Sequence, residues 1–183
     1  MKAVCRFLLN VLGWKAVSGV MPHKKAIIIG VPHTSAWDFV ISWLYYTSVG
    51  GVANIVIKKE FFFWPLGFFL RKMGAIPVDR SNGVSVVKQI IEEMNKREMM
   101  HLAITPEGTR ERTKKWKAGF HTIAKATGAV VYLGFFDFGR KEIGWHETLE
   151  LTDDPQADIR RMKAYYRSRG VIGKHPDQFS AEE

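Results

Sequence analysis

"AIIIGVPHTSAWDF", residues 26–39, runs from a block of β-branched residues through a proline into a polar turn and on into an apolar-rich segment. A near-continuous Ile/Val run reads as a strand buried on both faces, the pattern of parallel sheets. The following stretch, "SAWDFVISWLYYTSV" at 35–49, holds apolar residues at helical spacing. Ser35 is its expected cap, and Asp38 falls in the first turn, where a carboxylate suits the helix dipole. A strand that gives way to a helix across a polar turn is half of a βαβ unit and sets the fold class.

Working outward, "ANIVIKK", "GAIPVDR", "HLAI" and "VVYLGFFDF" repeat the strand pattern, and a further strand is expected near 141–151. "GVSVVKQIIEEMNKRE" has Val84, Val87, Ile91 and Met94 on one face, as a surface helix does. Helices are also expected around 117–127 and from about Asp154 to Arg169. The alternation predicts a single α/β layered domain, residues 23–183, with a mostly parallel or mixed sheet flanked by helices, any mixing falling at the C-terminal strands. An N-terminal amphipathic membrane-interface helix, residues 1–22, should precede it: Val4, Phe7, Leu8, Val11 and Leu12 share one side, while Lys2, Arg6 and Asn10 line the other. Arg6 and Lys15 interrupt the apolar run, and no small-residue cleavage site follows, which argues against a secretory signal.

The 183 residues are enough for one real core. Twenty-seven Lys and Arg against 18 Asp and Glu leave a charge of +9, which favours anionic partners. The cations are dispersed over Lys58-Lys59, Arg71-Lys72, Arg110 to Lys117 and Arg160 to Arg169, with no basic recognition helix, so nucleic acid is not expected. Cys5 is the lone cysteine and excludes an intrachain disulfide. No stretch reaches the roughly 18 uninterrupted apolar residues of a membrane span. "FFFWPLGFFL" at 61–70 is too short to span; it reads as core, with a lipid-facing surface as the rival.

Each polar motif lies where a strand ends, the edge of an open α/β sheet at which ligands bind. His33 is suited to take a proton near neutral pH, and Asp38 is placed to accept its other N–H and hold the tautomer. No Gly-flanked nucleophile accompanies the pair, so direct activation of a substrate hydroxyl fits better than a covalent intermediate. In "ITPEGTR", Gly108 permits a tight turn with exposed N–H groups, Arg110 offers a fork for phosphate oxygens, and Glu107 is placed to orient that arginine or bind a substrate hydroxyl. Taken singly, each of these segments reads equally as an ordinary polar turn.

Together they resemble a known family. "HTSAWD" is similar to the His-x-x-x-x-Asp motif of the glycerolipid and lysophospholipid acyltransferases, "GAIPVDR" to the second block of that family, ending at Arg80, and "TPEGTR" to its third. "WKAGF", with Lys117 and Gly119, resembles the Lys-x-Gly that follows the third block, and the likeness runs from about residue 24 to residue 138. The chain departs from the family pattern at Glu111, where serine is usual, and in "GAVVYLGFFDF", which lacks the proline of the fourth block.

The resemblance implies an O-acyltransferase in which His33, oriented by Asp38, deprotonates a hydroxyl of a lysophospholipid, 1-acylglycerol-3-phosphate above all. The alkoxide would attack an acyl thioester of coenzyme A or acyl carrier protein. Arg80, Glu107, Gly108, Thr109, Arg110 and Lys117 would form the substrate-binding set around the polar head. No cofactor or metal is implied, and the six histidines show no metal-ligand spacing. The implied location is peripheral, at the cytoplasmic face of an anionic membrane. Another lyso-lipid acceptor, such as an amino-acid lipid, a non-catalytic lipid-binding role, and hydrolysis by the same His–Asp pair are the competing readings.

Overall fold

The computed structural model describes residues 1–79 and 83–182. In chain order the elements are α1 (Lys2–Val11), β1 (Lys15–Ala16), β2 (Lys25–Val31), α2 (Trp37–Val49), β3 (Ala53–Lys58), α3 (Leu66–Lys72), β4 (Ala75–Val78), α4 (Gly83–Lys96), β5 (Met100–Ile104), α5 (Gly119–Thr127), β6 (Val130–Asp137), β7 (Glu142–Leu149) and α6 (Pro155–Arg169). Short 3₁₀ turns at Lys59–Phe61 and Pro176–Gln178 complete the set.

The strands form one seven-stranded sheet in the order β1-β7-β6-β2-β5-β3-β4. Pairing is parallel except between β6 and β7, so the sheet is mixed on its C-terminal side, as the sequence leads one to expect. β2 lies between β5 and β6, and its side chains alternate between two cores. Ile27, Ile29 and Val31 face a cluster with Ile90 and Met94 of α4, Phe120 and Ile123 of α5, and Met162 and Tyr166 of α6. Ala26 faces the opposite cluster with Cys5 and Leu9 of α1 and Ile41, Leu44 and Tyr45 of α2. Burial on both faces is why this strand carries an unbroken β-branched run.

Two boundaries differ from expectation. The N-terminal helix ends at Val11, where Gly13 takes φ +77°, and Lys15–Ala16 then pairs with β7. Backbone pairing at the sheet edge outweighs the helical spacing beyond Val11. α2 begins at Trp37 with Ala36 as its cap residue. Ser35 accepts from Trp37 N–H at 3.2 Å, while its own N–H and that of Thr34 donate to Asp38 Oδ2. Among the described residues no helix is long and apolar enough to cross a membrane.

Candidate active site

β2 and β5 are parallel neighbours with Ile29 opposite Ile104, so the turns leaving their carboxyl ends emerge side by side. The first turn carries His33 and the second Glu107. The N–H of His33 donates to Glu107 Oε1 at 2.8 Å, locking the two turns together. Glu107 is buried, and burial pushes its carboxyl up to about 7, with the His33 N–H pulling it back down.

Asp38 is buried, and its Oδ2 accepts from the N–H groups of Thr34 at 2.8 Å and Ser35 at 2.7 Å. His33 Nδ1 lies 3.2 Å from the same oxygen. An ionised carboxylate can only accept, so Nδ1 carries the proton and Nε2 keeps its lone pair. An imidazole held in this tautomer can take a proton from a hydroxyl brought to Nε2. Asp38 Oδ1 is buried without a hydrogen-bond partner among the described residues.

His33, Asp38, Gly108 and Lys117 line one cavity of about 470 Å³ on the α2 face of the sheet. Its remaining walls are mostly apolar, including Phe39 and Tyr45 of α2, Ile55 and Val56 of β3, and Phe136 of β6. Two glycines lie directly across from each other in its lining, Gly30 of β2 and Gly134 of β6. A Cβ on Gly30 would stand 3.1 Å from Phe136 Cε1. The missing side chains leave space beneath α2 that a packed sheet would otherwise fill. Neither glycine is singled out by reading motifs, although an isolated Gly inside a strand is the signal that finds such a place.

Gly108 has φ +66°, and the Lys117 side chain lies over it so closely that a Cβ there would come within 2.8 Å of Lys117 Nζ. Only glycine suits both constraints. Thr109 turns its hydroxyl to Glu111 N–H at 3.2 Å, and Arg110 is exposed on the outer side of the turn, away from the cavity lining. Arg80 lies outside the described residues; Asp79, next to it, pairs with Lys59 at 2.6 Å at the end of β4. Among the described residues no group of three His, Cys, Asp or Glu is gathered that could hold a metal ion.

The C-terminal segment, which sequence motifs leave unassigned, reaches the same turns. His175 N–H donates to Thr34 Oγ1 at 3.2 Å. The Gln178 amide, oriented by its surroundings, donates to Arg110 O at 2.8 Å and Thr34 O at 3.0 Å. One side chain thus ties the turn after β2 to the turn after β5.

The mixed α/β sheet thus brings a His–Asp pair and a lysine into the lining of one largely apolar cavity. The family model described as Acyltransferase matches residues 16–132, more than half of the chain, and the protein belongs to that family: it is an acyltransferase. The fold is similar to that of the 1-acyl-sn-glycerophosphate (LPA) acyltransferase PlsC from Thermotoga maritima, with a TM-score of 0.64 over 94% of this chain and 79% of that one, at 15% identity. At that identity the likeness is one of fold. No curated protein matches the chain.

Proposed function

We propose that the protein transfers a fatty acyl group from a thioester of coenzyme A or acyl carrier protein to the hydroxyl of a lysophospholipid, 1-acylglycerol-3-phosphate in the first instance, in phospholipid synthesis. The observation that carries the reading is the 3.2 Å His33–Asp38 contact set at the mouth of an apolar cavity of about 470 Å³. His33 Nε2 takes the acceptor's hydroxyl proton, and the alkoxide attacks the thioester carbonyl carbon. The tetrahedral intermediate collapses with cleavage of the C–S bond, and the imidazolium returns its proton to the departing thiolate. Asp38 holds the tautomer and stabilises the imidazolium, with no acyl-enzyme on the path. The apolar cavity accommodates acyl chain, while Lys117 and Arg110, with Arg80, supply cations for the acceptor's phosphate.

The same cations would suit the anionic head of a different lyso-lipid, and Glu111 beside Arg110 favours keeping that acceptor as the second reading. For location we read the cytoplasmic face of an anionic membrane. Supporting this, α1 buries Cys5 and Leu9 against the domain while Val4, Phe7, Leu8 and Val11 remain exposed with Lys2 and Arg6 nearby.

The test is purified protein with acyl-CoA or acyl carrier protein and a panel of lyso-lipids, following thiol release and lipid product. Wild type should acylate at least one acceptor and His33→Ala should not. Full activity in His33→Ala, or no product with any pair, ends the proposal.

A further inference from the structure

Residues 59–72 make an unusual use of aromatic side chains. Phe61, Phe63, Trp64, Phe68 and Phe69 are all at least half exposed, Trp64 at 86%. Within α3 only Gly67 is buried, so this helix contributes almost nothing to the core. Its geometry is nevertheless tight: Gly67 N–H donates to Phe63 O at 2.6 Å, and a Cβ at Gly67 would meet the Phe62 backbone at 2.5 Å. A compact turn that holds several large rings in water is displaying them.

The charges are arranged to match. Lys58, Lys59, Arg71 and Lys72 flank the rings at both ends of the segment, with Glu60 as its one acid. Arg71 stands 5.0 Å over the Phe62 ring and Lys72 4.6 Å over Phe68. Exposed rings bracketed along the chain by cations suit a bilayer surface, where aromatics settle at the headgroup boundary and Lys or Arg meet the phosphates. Met1, Val52, Lys72 and Met73 line one small groove, so the start of α1 and the end of α3 adjoin.

We infer that residues 59–72 are a second membrane-contacting element, an aromatic knob that enters the interface of an anionic bilayer beside α1. Two adjacent contacts restrict rotation at the surface, which a single helix does not. The inference rests on the lipid-substrate reading above, and its partner is the bilayer itself.

The test compares wild type with Phe63→Ser/Trp64→Ser/Phe68→Ser, changes confined to exposed side chains, after thermal melting shows that both fold. With vesicles of phosphatidylcholine and phosphatidylglycerol, co-sedimentation should fall about tenfold or more in the variant. Turnover of a short-chain acyl-CoA with a monomeric short-chain lyso-acceptor should not change. Independently, brominated lipids should quench a component of wild-type fluorescence that is missing in Trp64→Phe. Equal vesicle binding by wild type and variant overturns the inference. So does a wild-type dimer in sedimentation that the variant loses while vesicle binding stays, since the knob would then cover a second copy. Absence of turnover in wild type would sink the acyl-transfer reading, and the vesicle and quenching measurements would still decide the knob.

Discussion

His33 and Glu107 are joined by a hydrogen bond that uses the backbone of one and the side chain of the other: His33 N–H donates to Glu107 Oε1 at 2.8 Å. The carboxylate therefore points back toward the turn after β2, whereas sequence reasoning directs it to Arg110 or to substrate. Removing it should loosen the turn that carries the imidazole. Glu107→Ala is expected to lower kcat at least about tenfold, and Glu107→Gln, which keeps an acceptor oxygen, should retain most activity. Steady-state kinetics on the two variants checks this.

The same residue sets a pH dependence of stability. Burial raises the folded-state value from 4.5 to about 7, so between those limits the folded chain holds a proton that the unfolded chain has released. The contribution is present below pH 4.5 and lost as pH rises through about 7. Relative to Glu107→Gln, wild type should be less stable at pH 8 than at pH 5 by on the order of 3 kcal/mol. Urea midpoints of both proteins at the two pH values measure the difference; a constant gap contradicts it.

Asp38 serves the turn and the imidazole with one oxygen, accepting from Thr34 N–H, Ser35 N–H and His33 Nδ1. Asp38→Asn should therefore lower kcat by about 10²–10⁴ through loss of the tautomer and imidazolium support, and also destabilise the fold by about 1–3 kcal/mol. His33→Ala should match the kinetic loss without the same fall in stability, because the two backbone donors keep a carboxylate acceptor, whereas in Asp38→Asn they are left with the weaker, uncharged amide oxygen. Thermal melts run beside kinetics separate the two effects.

Filling the cavity should change which acyl chains react. Gly30→Val adds bulk at a place where even a Cβ stands 3.1 Å from the Phe136 ring. The expected outcome is a fall of about tenfold or more in kcat/KM for long-chain donors, with short-chain donors affected less. A series of acyl-CoA lengths reads the ratio, and an unchanged ratio removes the cavity from the acyl path.

Gln178 links Arg110 O and Thr34 O across the two turns, as a positioning residue outside the cavity lining. Gln178→Ala should reduce kcat by roughly threefold to tenfold with little change in donor KM, an effect of about 1 kcal/mol. Gln178→Glu, which brings a carboxylate against two carbonyls, should be worse than alanine. Equal kcat in all three proteins would make the link purely structural.

Deletion of residues 1–20 would not isolate an exposed surface of α1. Cys5, Leu9 and Trp14 are buried and Lys15–Ala16 is part of the sheet, so the deletion would remove core along with surface. Val4→Ser and Phe7→Ser, both at exposed positions, test the α1 contact without that loss: vesicle co-sedimentation should fall while melting temperature holds.

Strand and helix identity was legible because hydrophobic periodicity is a local property. "AIIIGV" reads as a strand buried on both sides, and the structure buries Ile27 and Ile29 completely. The placement of His33, Asp38 and the 107–110 turn at strand ends followed from the same periodicity, and the family likeness of their motifs was visible in a few residues each. Less legible were features decided by competition. Helical spacing continues past Val11, but Gly13 and the pairing of Lys15 with Glu142 end the helix. "FFFWPLGFFL" reads first as core, yet the Gly67 turn carries its rings outward and Trp64 is 86% exposed.

The sequence by itself determined the α/β class and the positions of His33, Asp38 and Glu107 at strand ends, since each depends on neighbours a few positions apart, and it left the sheet open between mostly parallel and mixed. Only the tertiary structure decided that Glu107 holds the His33 turn, that Gln178 bridges two turns, and that Gly30 and Gly134 open a cavity together. These relations join strands and tails far apart along the chain. Strand register and packing bring them together, and a cavity in particular is an absence of side chains that no single stretch of sequence records.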